Sequence, residues 1–323
     1  MEQKLSVIIC AYNQENVIER AVRSALSQSF KNIEVTAVDD GSQDNTLSVL
    51  TRLSEEDSRL KVITKKNGGV SAARNDALRA CSGDKIITLD GDDYFEDGIF
   101  EAFMKEAQAY PHASLIQGGM YYEYPGKKVL YEPDTEFYGT TGEFLDGPFL
   151  SLYENHLLTT HCNKLYDAGI IRESGLLFDE ELKINEDIDF VFRYLKLCEN
   201  VRVIKAPCIS YVQHDAGASQ ITTYRENGIS SALKVMREGT ELTEKARLPM
   251  LIHVLSFVGV MYKSSGCSRE KKFAELRKLC SDRDFQWLLR EVKPDCLKTR
   301  AAVFLLKNGF LRSYHLMCLG FYR

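Results

Sequence analysis

The stretch Lys85-Ile86-Ile87-Thr88-Leu89-Asp90-Gly91-Asp92-Asp93 decides how this chain is interpreted. Its first half is a short apolar run rich in β-branched residues, which predicts a buried strand. Its second half places three carboxylates at the carboxyl end of that strand, where open α/β sheets bind ligands. Carboxylates this close repel one another, and a hard divalent cation such as Mg²⁺ or Mn²⁺ would stabilise them. The alternative is an ordinary acidic turn, because Asp and Gly are common turn residues.

Strand and helix patterns alternate through the first part of the chain. Four strand patterns predict a parallel sheet with helices on both faces. The second strand also ends in carboxylates, Asp39 and Asp40, so we expect one crevice shared by the two strand ends rather than two sites. The predicted strands are 5–11, 33–38, 60–64 and the run that ends at Asp90, and the predicted helices are 17–30, 46–56 and 70–81.

Composition and motif searches exclude several classes of protein. The net charge of −5 over 323 residues argues against a nucleic-acid binder. Nine scattered cysteines without a Cys-x-x-Cys pair favour reduced thiols in a cytosolic protein over disulfides or a zinc site. No Gly-x-Gly-x-x-Gly follows the first strand and no Walker-type Gly-Lys-Ser/Thr is present, which excludes dinucleotide-binding and P-loop proteins.

The pattern continues less clearly beyond residue 96. We expect a helix over 97–110, strands over 114–124 and 201–211, and loops around a short sheet and helix over 125–160. Asn163-Lys164-Leu165-Tyr166 is expected to open a helical piece, and a helix is expected to follow Asn185-Glu186-Asp187. From about residue 227 the periodicity is helical.

Six short motifs in this order resemble those of the family 2 glycosyltransferases, which have the GT-A fold. The resemblance covers roughly residues 4–225. One departure is Cys10, where the family commonly has proline, and we expect this thiol to be packed and inert. The motifs are Ser6 to Asn13, Val38-Asp39-Asp40-Gly41-Ser42 with Asp44 and Thr46, Asn67-Gly68-Gly69 with Ala73-Arg74-Asn75, Asp90-Gly91-Asp92-Asp93, Asn163-Lys164-Leu165-Tyr166, and Asn185-Glu186-Asp187.

The resemblance implies an α/β protein with a Rossmann-like, mostly parallel sheet, helices on both faces and a C-terminal helical region. We expect residues 1–110 to form the nucleotide-sugar-binding half of the GT-A domain and residues 111–226 its acceptor-binding and catalytic half. Residues 227–323 would form the C-terminal helical, basic region.

The resemblance also assigns the donor site. Tyr12 would stack on the base and Asp40 would accept a hydrogen bond from it, which favours a uracil or thymine imide and therefore a UDP-sugar. Asp92 and Asp93 would hold Mn²⁺ or Mg²⁺, which stabilises the departing nucleotide. His214 would be a third metal ligand or a phosphate contact, and a solvated loop histidine is an equal alternative. Asp90 would support the metal cluster or the ribose.

On the acceptor side, the resemblance places the catalytic base at Asp187, with Glu186 as the competing carboxylate. Asp187 would take the acceptor proton while the hydroxyl displaces the nucleotide, and this single displacement inverts the anomeric carbon. Arg74 and Lys164 would serve the phosphates. For Arg74, a structural ion pair with a carboxylate is an equal alternative.

The sequence therefore predicts a metal-dependent, inverting hexosyl- or N-acetylhexosaminyltransferase of glycan or surface-polysaccharide assembly. Its donor would be a nucleotide sugar, and its acceptor a glycan or a lipid-linked glycan. The alternatives are a sugar-phosphate nucleotidyltransferase, which should carry a basic glycine-rich loop after the first strand, and a non-catalytic nucleotide-sugar-binding protein, which should lack the metal carboxylates or the base.

The C-terminal tail differs in charge from the rest of the chain. Residues 267–323 carry a net charge of +7, whereas residues 1–266 carry −12. Over residues 298–323, apolar residues alternate with cations, which is typical of a helix that lies at a membrane surface. We expect a cytoplasmic enzyme with peripheral membrane contact through 298–323. The alternative is that this apolar stripe packs on the protein's own core.

Overall fold

Within the residues that the structure describes, one mixed sheet of ten strands forms the core of the N-terminal part of the chain. The computed structural model describes residues 3–213, 225–264, 266–294 and 296–321. The strands are β1 Leu5–Ala11, β2 Ile33–Asp39, β3 Leu60–Thr64, β4 Lys85–Asp90, β5 Tyr94–Phe95, β6 Leu115–Tyr124, β7 Lys127–Tyr131, β8 Phe137–Thr140, β9 Lys164–Asp167 and β10 Asn200–Val212.

Six of these strands run in one direction. The strand order is β3-β2-β1-β4-β9-β6-β10-β5, with β7 paired to β6 and β8 paired to β10. β1 to β4 pair in parallel, and β9 is antiparallel to both β4 and β6, so β6 and β10 point the same way as β4. The carboxyl ends of β1, β2, β4, β6 and β10 therefore meet at one edge of the sheet. This confirms the predicted α/β, mostly parallel fold.

Helices cover the sheet because its central strands are apolar on both faces. Every residue of β1 and of β2 is buried, as expected for strands of a parallel sheet that is covered on both faces. The helices of this part are α1 Ile18–Leu26, α2 Thr46–Glu56, α3 Val70–Ala80, α4 Ile99–Ala109, α5 Thr141–Asp146, α6 Phe149–Glu154, α7 Ala168–Ser174 and α8 Glu186–Leu195.

Helix α8 is fixed to the sheet by Tyr194. The Tyr194 hydroxyl donates to the carbonyl oxygen of Ser114 (2.6 Å) and accepts from the backbone N–H of Asp167 (2.8 Å). Ser114 precedes β6 and Asp167 ends β9, so one buried hydroxyl joins the helix to two strands. The Phe190 ring also stacks on Phe178 with 4.0 Å between centroids. These contacts fix the position of the first turn of α8, which carries Glu186 and Asp187.

The prediction for Asn163-Lys164-Leu165-Tyr166 was wrong, because this stretch forms strand β9 instead of opening a helix. β9 pairs with β4 through Lys85 and Ile86 and with β6 on its other side. A four-residue stretch is too short to show a hydrophobic period, so neighbouring strands decide its conformation. The first helix also ends earlier than predicted, at Leu26 rather than near Phe30.

The chain divides into two compact units, one made of residues 1–182 and 186–215 and the other of residues 183–185 and 216–323. The second unit is helical, as predicted. The predicted division at residues 110 and 226 stays a prediction. The helices of the second unit are α9 Gly228–Leu242, α10 Arg247–Lys263, α11 Arg269–Ser281, α12 Arg283–Glu291, α13 Leu297–Lys307 and α14 Leu311–Phe321. In the described part of the chain, no helix is both long and apolar enough to cross a membrane.

Candidate active site

The candidate site lies where β1, β2 and β4 end. Register pairs Ala11 with Asp39 and Cys10 with Asp90, so these strand ends are adjacent. Gly91, directly after β4, donates its N–H to the carbonyl oxygen of Cys10 (3.0 Å). A Cβ at position 91 would lie 2.9 Å from that same oxygen. Glycine is therefore required between Asp90 and Asp92, because the turn passes directly over the end of β1.

The two residues predicted to bind the base lie on the β1 and β2 side of this edge. The Tyr12 side chain is 45% exposed. Asp40 is buried, and its carboxylate accepts from the backbone N–H groups of Gly68 (2.9 Å) and Gly69 (2.8 Å). Asp40 thus fixes the loop that leads into α3, the helix that carries Arg74.

Arg74 brings together carboxylates from two distant parts of the sequence. It is buried, and its Nη2 donates to Asp90 Oδ1 (2.7 Å) at the end of β4. Its Nη1 donates to Asp187 Oδ1 (2.6 Å) and to Glu186 Oε1 (3.3 Å) at the start of α8. Arg74 therefore holds the end of β4 against the first turn of α8. This is the ion pair with a carboxylate that the sequence left as an alternative role for Arg74.

His161 is a member of this cluster that the sequence did not reveal. Its buried ring places Nε2 3.4 Å from Asp187 Oδ1 and 3.6 Å from Asp90 Oδ1. On the other side of the ring, Nδ1 lies 2.5 Å from the Thr88 hydroxyl oxygen. A lone histidine two residues before a motif carries no spacing signal. Only the antiparallel pairing of β9 with β4 brings it to the strand end.

Burial and charge set different protonation states for neighbouring carboxylates. For Asp90, burial alone would raise the pKa, but Arg74 and His161 lower it well below its usual range. For Glu186, burial and the negative charge of Asp187 raise the pKa to about 7, and Arg74 only partly opposes them. Near neutral pH, Asp90 is therefore ionised while Glu186 retains its proton in a large fraction of molecules.

Asp93 has the character of a cation ligand. Its buried carboxylate accepts from the N–H of Val212 through Oδ1 (2.8 Å), and Oδ2 has no hydrogen-bond partner among the described residues. Burial raises the pKa of Asp93 well above its usual range, and the charges of Asp92 and Asp90 raise it further. An unpartnered buried oxygen beside two more carboxylates fits a hard divalent cation. Asp92 and Asp93 therefore fit the predicted Mn²⁺ or Mg²⁺.

A second group in the described residues offers three ligand atoms within 4.8 Å of one another: Asp90, His161 and Cys162. It fits a metal less well than Asp92 and Asp93. Asp90 already pairs with Arg74, and burial raises the pKa of the Cys162 thiol well above its usual range. We interpret this group as part of the Arg74 cluster, by which we mean Arg74 and the residues grouped around it: Asp90, His161, Glu186 and Asp187.

Three other residues are placed as follows. Lys164 is fully buried, and its ammonium donates to the carbonyl oxygens of Leu157 (3.0 Å) and Thr160 (2.5 Å). Burial lowers the pKa of Lys164 to about 7. Cys10 is buried, and burial raises its pKa to about 12, as expected for an inert thiol. His214 lies outside the described residues.

The model for glycosyl transferase family 2 matches residues 6–174, just over half of the chain. The chain belongs to family 2 of the glycosyltransferases. As a member of this family it is a glycosyltransferase, which argues against the nucleotidyltransferase and non-catalytic alternatives.

Named relatives support this assignment. An uncharacterized glycosyltransferase, EpsJ, of Bacillus subtilis is 27% identical over 67% of this chain and 63% of its own length. The GalNAc(5)-diNAcBac-PP-undecaprenol β-1,3-glucosyltransferase of Campylobacter jejuni is 33% identical over 48% of this chain and 53% of its own. The chain thus spans less than two thirds of the length of these two relatives.

Solved structures support the fold. Residues 1–349 of S. aureus TarS in complex with UDP-GlcNAc superpose with a TM-score of 0.74 at 20% identity, over 98% of this chain and 91% of that one. The match confirms the GT-A fold of this family 2 glycosyltransferase.

We predict that Glu186→Gln alters how stability depends on pH. Folding raises the Glu186 pKa from 4.5 to about 7. Between these values the unfolded chain releases the proton while the folded protein keeps it, so the parent loses up to about 3 kcal/mol of stability as pH rises. The glutamine variant lacks this loss, so its stability relative to the parent should increase from pH 4.5 to 7 and level off above.

Urea denaturation at several pH values measures this difference. Glu181→Gln, which removes an exposed carboxylate five residues earlier, is the matched control and should follow the parent. Parallel curves for the parent and Glu186→Gln would contradict the protonation state assigned to Glu186.

Proposed function

We propose that this family 2 glycosyltransferase moves a sugar from UDP to a hydroxyl of a glycan or lipid-linked acceptor by one inverting displacement. The observation that carries the proposal is the Arg74 cluster. It holds the carboxylate at the end of β4, beside the metal ligands, against the carboxylate that begins α8. A leaving nucleotide needs metal ligands, and an attacking hydroxyl needs a carboxylate that can act as a base. The two must lie next to each other, as they do here.

Asp187 is the better placed of the two adjacent carboxylates to act as the base. Its Oδ1 is held by Arg74, whereas its Oδ2 makes no hydrogen bond to any described residue, and the side chain is 28% exposed. One oxygen is thus oriented and the other is open to an acceptor hydroxyl. Glu186 is buried and retains its proton up to about pH 7, so it is a poorer base.

The donor site is proposed at the β1, β2 and β4 ends. Tyr12 offers an exposed ring for the base, and each Asp40 oxygen keeps a second lone pair after accepting from the Gly68 or Gly69 N–H. TarS, which shares this fold, has been solved with UDP and with UDP-GlcNAc, which supports a uridine donor. The structure leaves the phosphate role predicted for Lys164 untested, and its ammonium is satisfied by backbone carbonyls.

Asp92 and Asp93 would hold the divalent cation. When bound, the cation would neutralise the charge that develops on the departing diphosphate. The chain's own contribution is to fix Asp93 through the Val212 N–H and to keep water away from its buried carboxylate.

The acceptor is proposed to be at a membrane surface. The Campylobacter jejuni relative is named for an undecaprenol-linked acceptor. In this chain, residues 296–323 contain five Lys/Arg and no Asp/Glu. Helix α13 aligns Leu297, Arg300, Phe304 and Lys307 at three- and four-residue spacing, all exposed. An exposed stripe of apolar and cationic residues fits an anionic bilayer surface.

The other sides of these two helices pack within the second unit. Ala302, Val303 and Leu306 of α13 are buried, as are Tyr314 and Cys318 of α14. The tail is therefore two helices, with Gly309 at positive φ between them. On each helix, the residues that pack in the core lie on a different side from the exposed stripe. The core-packing alternative accounts for the first set and leaves Phe304 (59% exposed) and Leu316 (68% exposed) unexplained.

Asp187→Asn tests the assignment of the base. The amide keeps an oxygen for Arg74 and loses basicity, so we expect turnover to fall by roughly 10²–10⁴-fold. UDP affinity should remain close to that of the parent. Initial rates are measured with a panel of UDP-sugars, and Glu181→Gln serves as the control. A variant that loses UDP binding while the parent retains it would make Asp187 a donor or structural residue.

Asp93→Asn tests the metal site. Asparagine can still accept from Val212 but provides no charge for a cation, so the thermal shift that UDP with Mn²⁺ produces in the parent should disappear. In chelator alone the variant should melt at or above the parent temperature, because a poorly solvated buried carboxylate has been removed. Asp97→Asn, at an exposed position nearby, should retain the shift. An unchanged shift in Asp93→Asn would place the metal elsewhere.

Cosedimentation with phosphatidylglycerol vesicles tests the membrane contact. The parent should pellet at low salt and dissociate as salt is added, since each cation near the surface contributes about 1 kcal/mol. Phe304→Ser with Leu316→Ser should abolish pelleting. Leu197→Ser, which removes an exposed leucine from the turn that follows α8, should not. A parent protein that stays in the supernatant at low salt would refute the proposed contact.

A further inference from the structure

Four tyrosines form one aromatic surface at the carboxyl ends of β6 and β10. The Tyr122 ring is the centre of this surface. Its centroid lies 4.7 Å from that of Tyr131, 5.3 Å from that of Tyr211 and 6.4 Å from that of Tyr124. We call Tyr122, Tyr124, Tyr131 and Tyr211 the tyrosine surface.

Strand geometry explains why these rings share a face. Tyr122 and Tyr124 are two residues apart on β6 and therefore point to the same side, and Tyr211 of β10 is in register with Tyr122. Tyr121 and Glu123 point to the opposite side, where Lys128 lies over the Tyr121 ring (4.3 Å). The tyrosine surface is thus separate from that polar cluster on the other face.

The tyrosine surface is next to the candidate active site. Val212, the residue after Tyr211, donates its N–H to Asp93 Oδ1 (2.8 Å). Burial raises the pKa of Tyr211, and the charges of Asp93, Asp90 and Asp187 raise it further, so its hydroxyl lies within electrostatic reach of all three.

The tyrosine surface also lies on the side of the sheet edge away from Tyr12, where the uracil of the donor is proposed to bind. Tyr12 follows β1, and the sheet order β1-β4-β9-β6-β10 puts three strand spacings, roughly 14 Å, between β1 and β6. Asp90 at the end of β4 lies between them. A group bound on the tyrosine surface would approach the reacting centre from the side opposite the uracil, as an acceptor must.

The chemistry of the surface suits a sugar. Tyrosine rings present flat apolar faces that match the C–H face of a pyranose, and their hydroxyls can bond to its hydroxyl groups. Within the described residues, the four hydroxyls make no hydrogen bond to the protein. Tyr124 is 41% exposed and the other three are partly exposed. A surface meant only for packing would be buried.

We propose that the tyrosine surface binds a pyranose ring of the acceptor and presents its hydroxyl to Asp187. The acceptor is then a glycan, or a lipid carrier that already bears at least one sugar. A bare lipid would have no group for this surface. This inference rests on the proposed function, because it assumes that the neighbouring carboxylates transfer a sugar.

Saturation-transfer NMR with methyl glycosides of glucose, galactose, N-acetylglucosamine and N-acetylgalactosamine tests the proposal, with UDP and Mn²⁺ present. At least one glycoside should bind the parent, with the strongest transfer to protons on one ring face. Tyr122→Ala and Tyr124→Ser should weaken it about threefold to tenfold. Tyr124 is exposed, so its variant tests the proposal even if Tyr122→Ala does not fold.

Tyr138→Ala is the matched control. Tyr138 is similarly exposed, but it lies on β8 opposite Arg202, toward the other end of β10. It should bind the glycoside as the parent does. The proposal is overturned if no glycoside binds the parent, or if the Tyr122 and Tyr124 variants bind as tightly as the parent. Thermal shift with UDP and Mn²⁺ is measured on every variant. If UDP with Mn²⁺ produces no thermal shift in the parent, the donor site is rejected instead, and with it the proposed function.

Discussion

The site depends on one buried cation, Arg74, which neutralises carboxylates that would otherwise repel one another. Its guanidinium reaches Asp90 at the end of β4 and Asp187 at the start of α8, residues almost a hundred positions apart. A buried arginine without partners would be costly, and so would the unpaired acids. The arginine therefore requires the carboxylates, and the carboxylates require the arginine. The loop that Asp40 fixes through Gly68 and Gly69 places Arg74, so this turn acts on the site through the helix that follows it.

The cluster still carries more negative than positive charge, and the fold distributes this excess unequally. Glu186 retains a proton, Asp90 is ionised, and Asp93 presents a buried oxygen that no described donor satisfies. A diphosphate could not approach such a surface unless a cation came with it. The unpartnered, buried carboxylate oxygen of Asp93 is thus a physical reason to propose metal dependence, and this reason is independent of any resemblance to other proteins.

The sequence predicted the first half of the fold well because β1, β2 and β4 are short segments, rich in apolar and β-branched residues and bounded by turns. Their length and flanking turns favour buried strands over helices, and the ends of these strands then place Asp39, Asp40 and Asp90 at one edge. It failed at β9, where four residues carry no period and only pairing with β4 and β6 decides the conformation. His161 was missed for the same reason, since it reaches the site through that pairing. The phosphate role predicted for Lys164 stays a prediction, and in the structure its ammonium donates to the carbonyl oxygens of Leu157 and Thr160.

Strand β9 also explains how one sheet edge can serve two substrates. Within the described sheet it is the only antiparallel strand between the donor-side strands and β6 and β10, and the chain enters it at the shared edge shortly after His161. Its insertion moves the tyrosine surface two strand spacings away from β4, or roughly 10 Å. Arg74 holds Asp187 beside Asp90, and Tyr194 holds the helix that carries Asp187 to the sheet. Under the proposed function, the helix start, the arginine and the spacer strand would together define where an acceptor hydroxyl meets the donor.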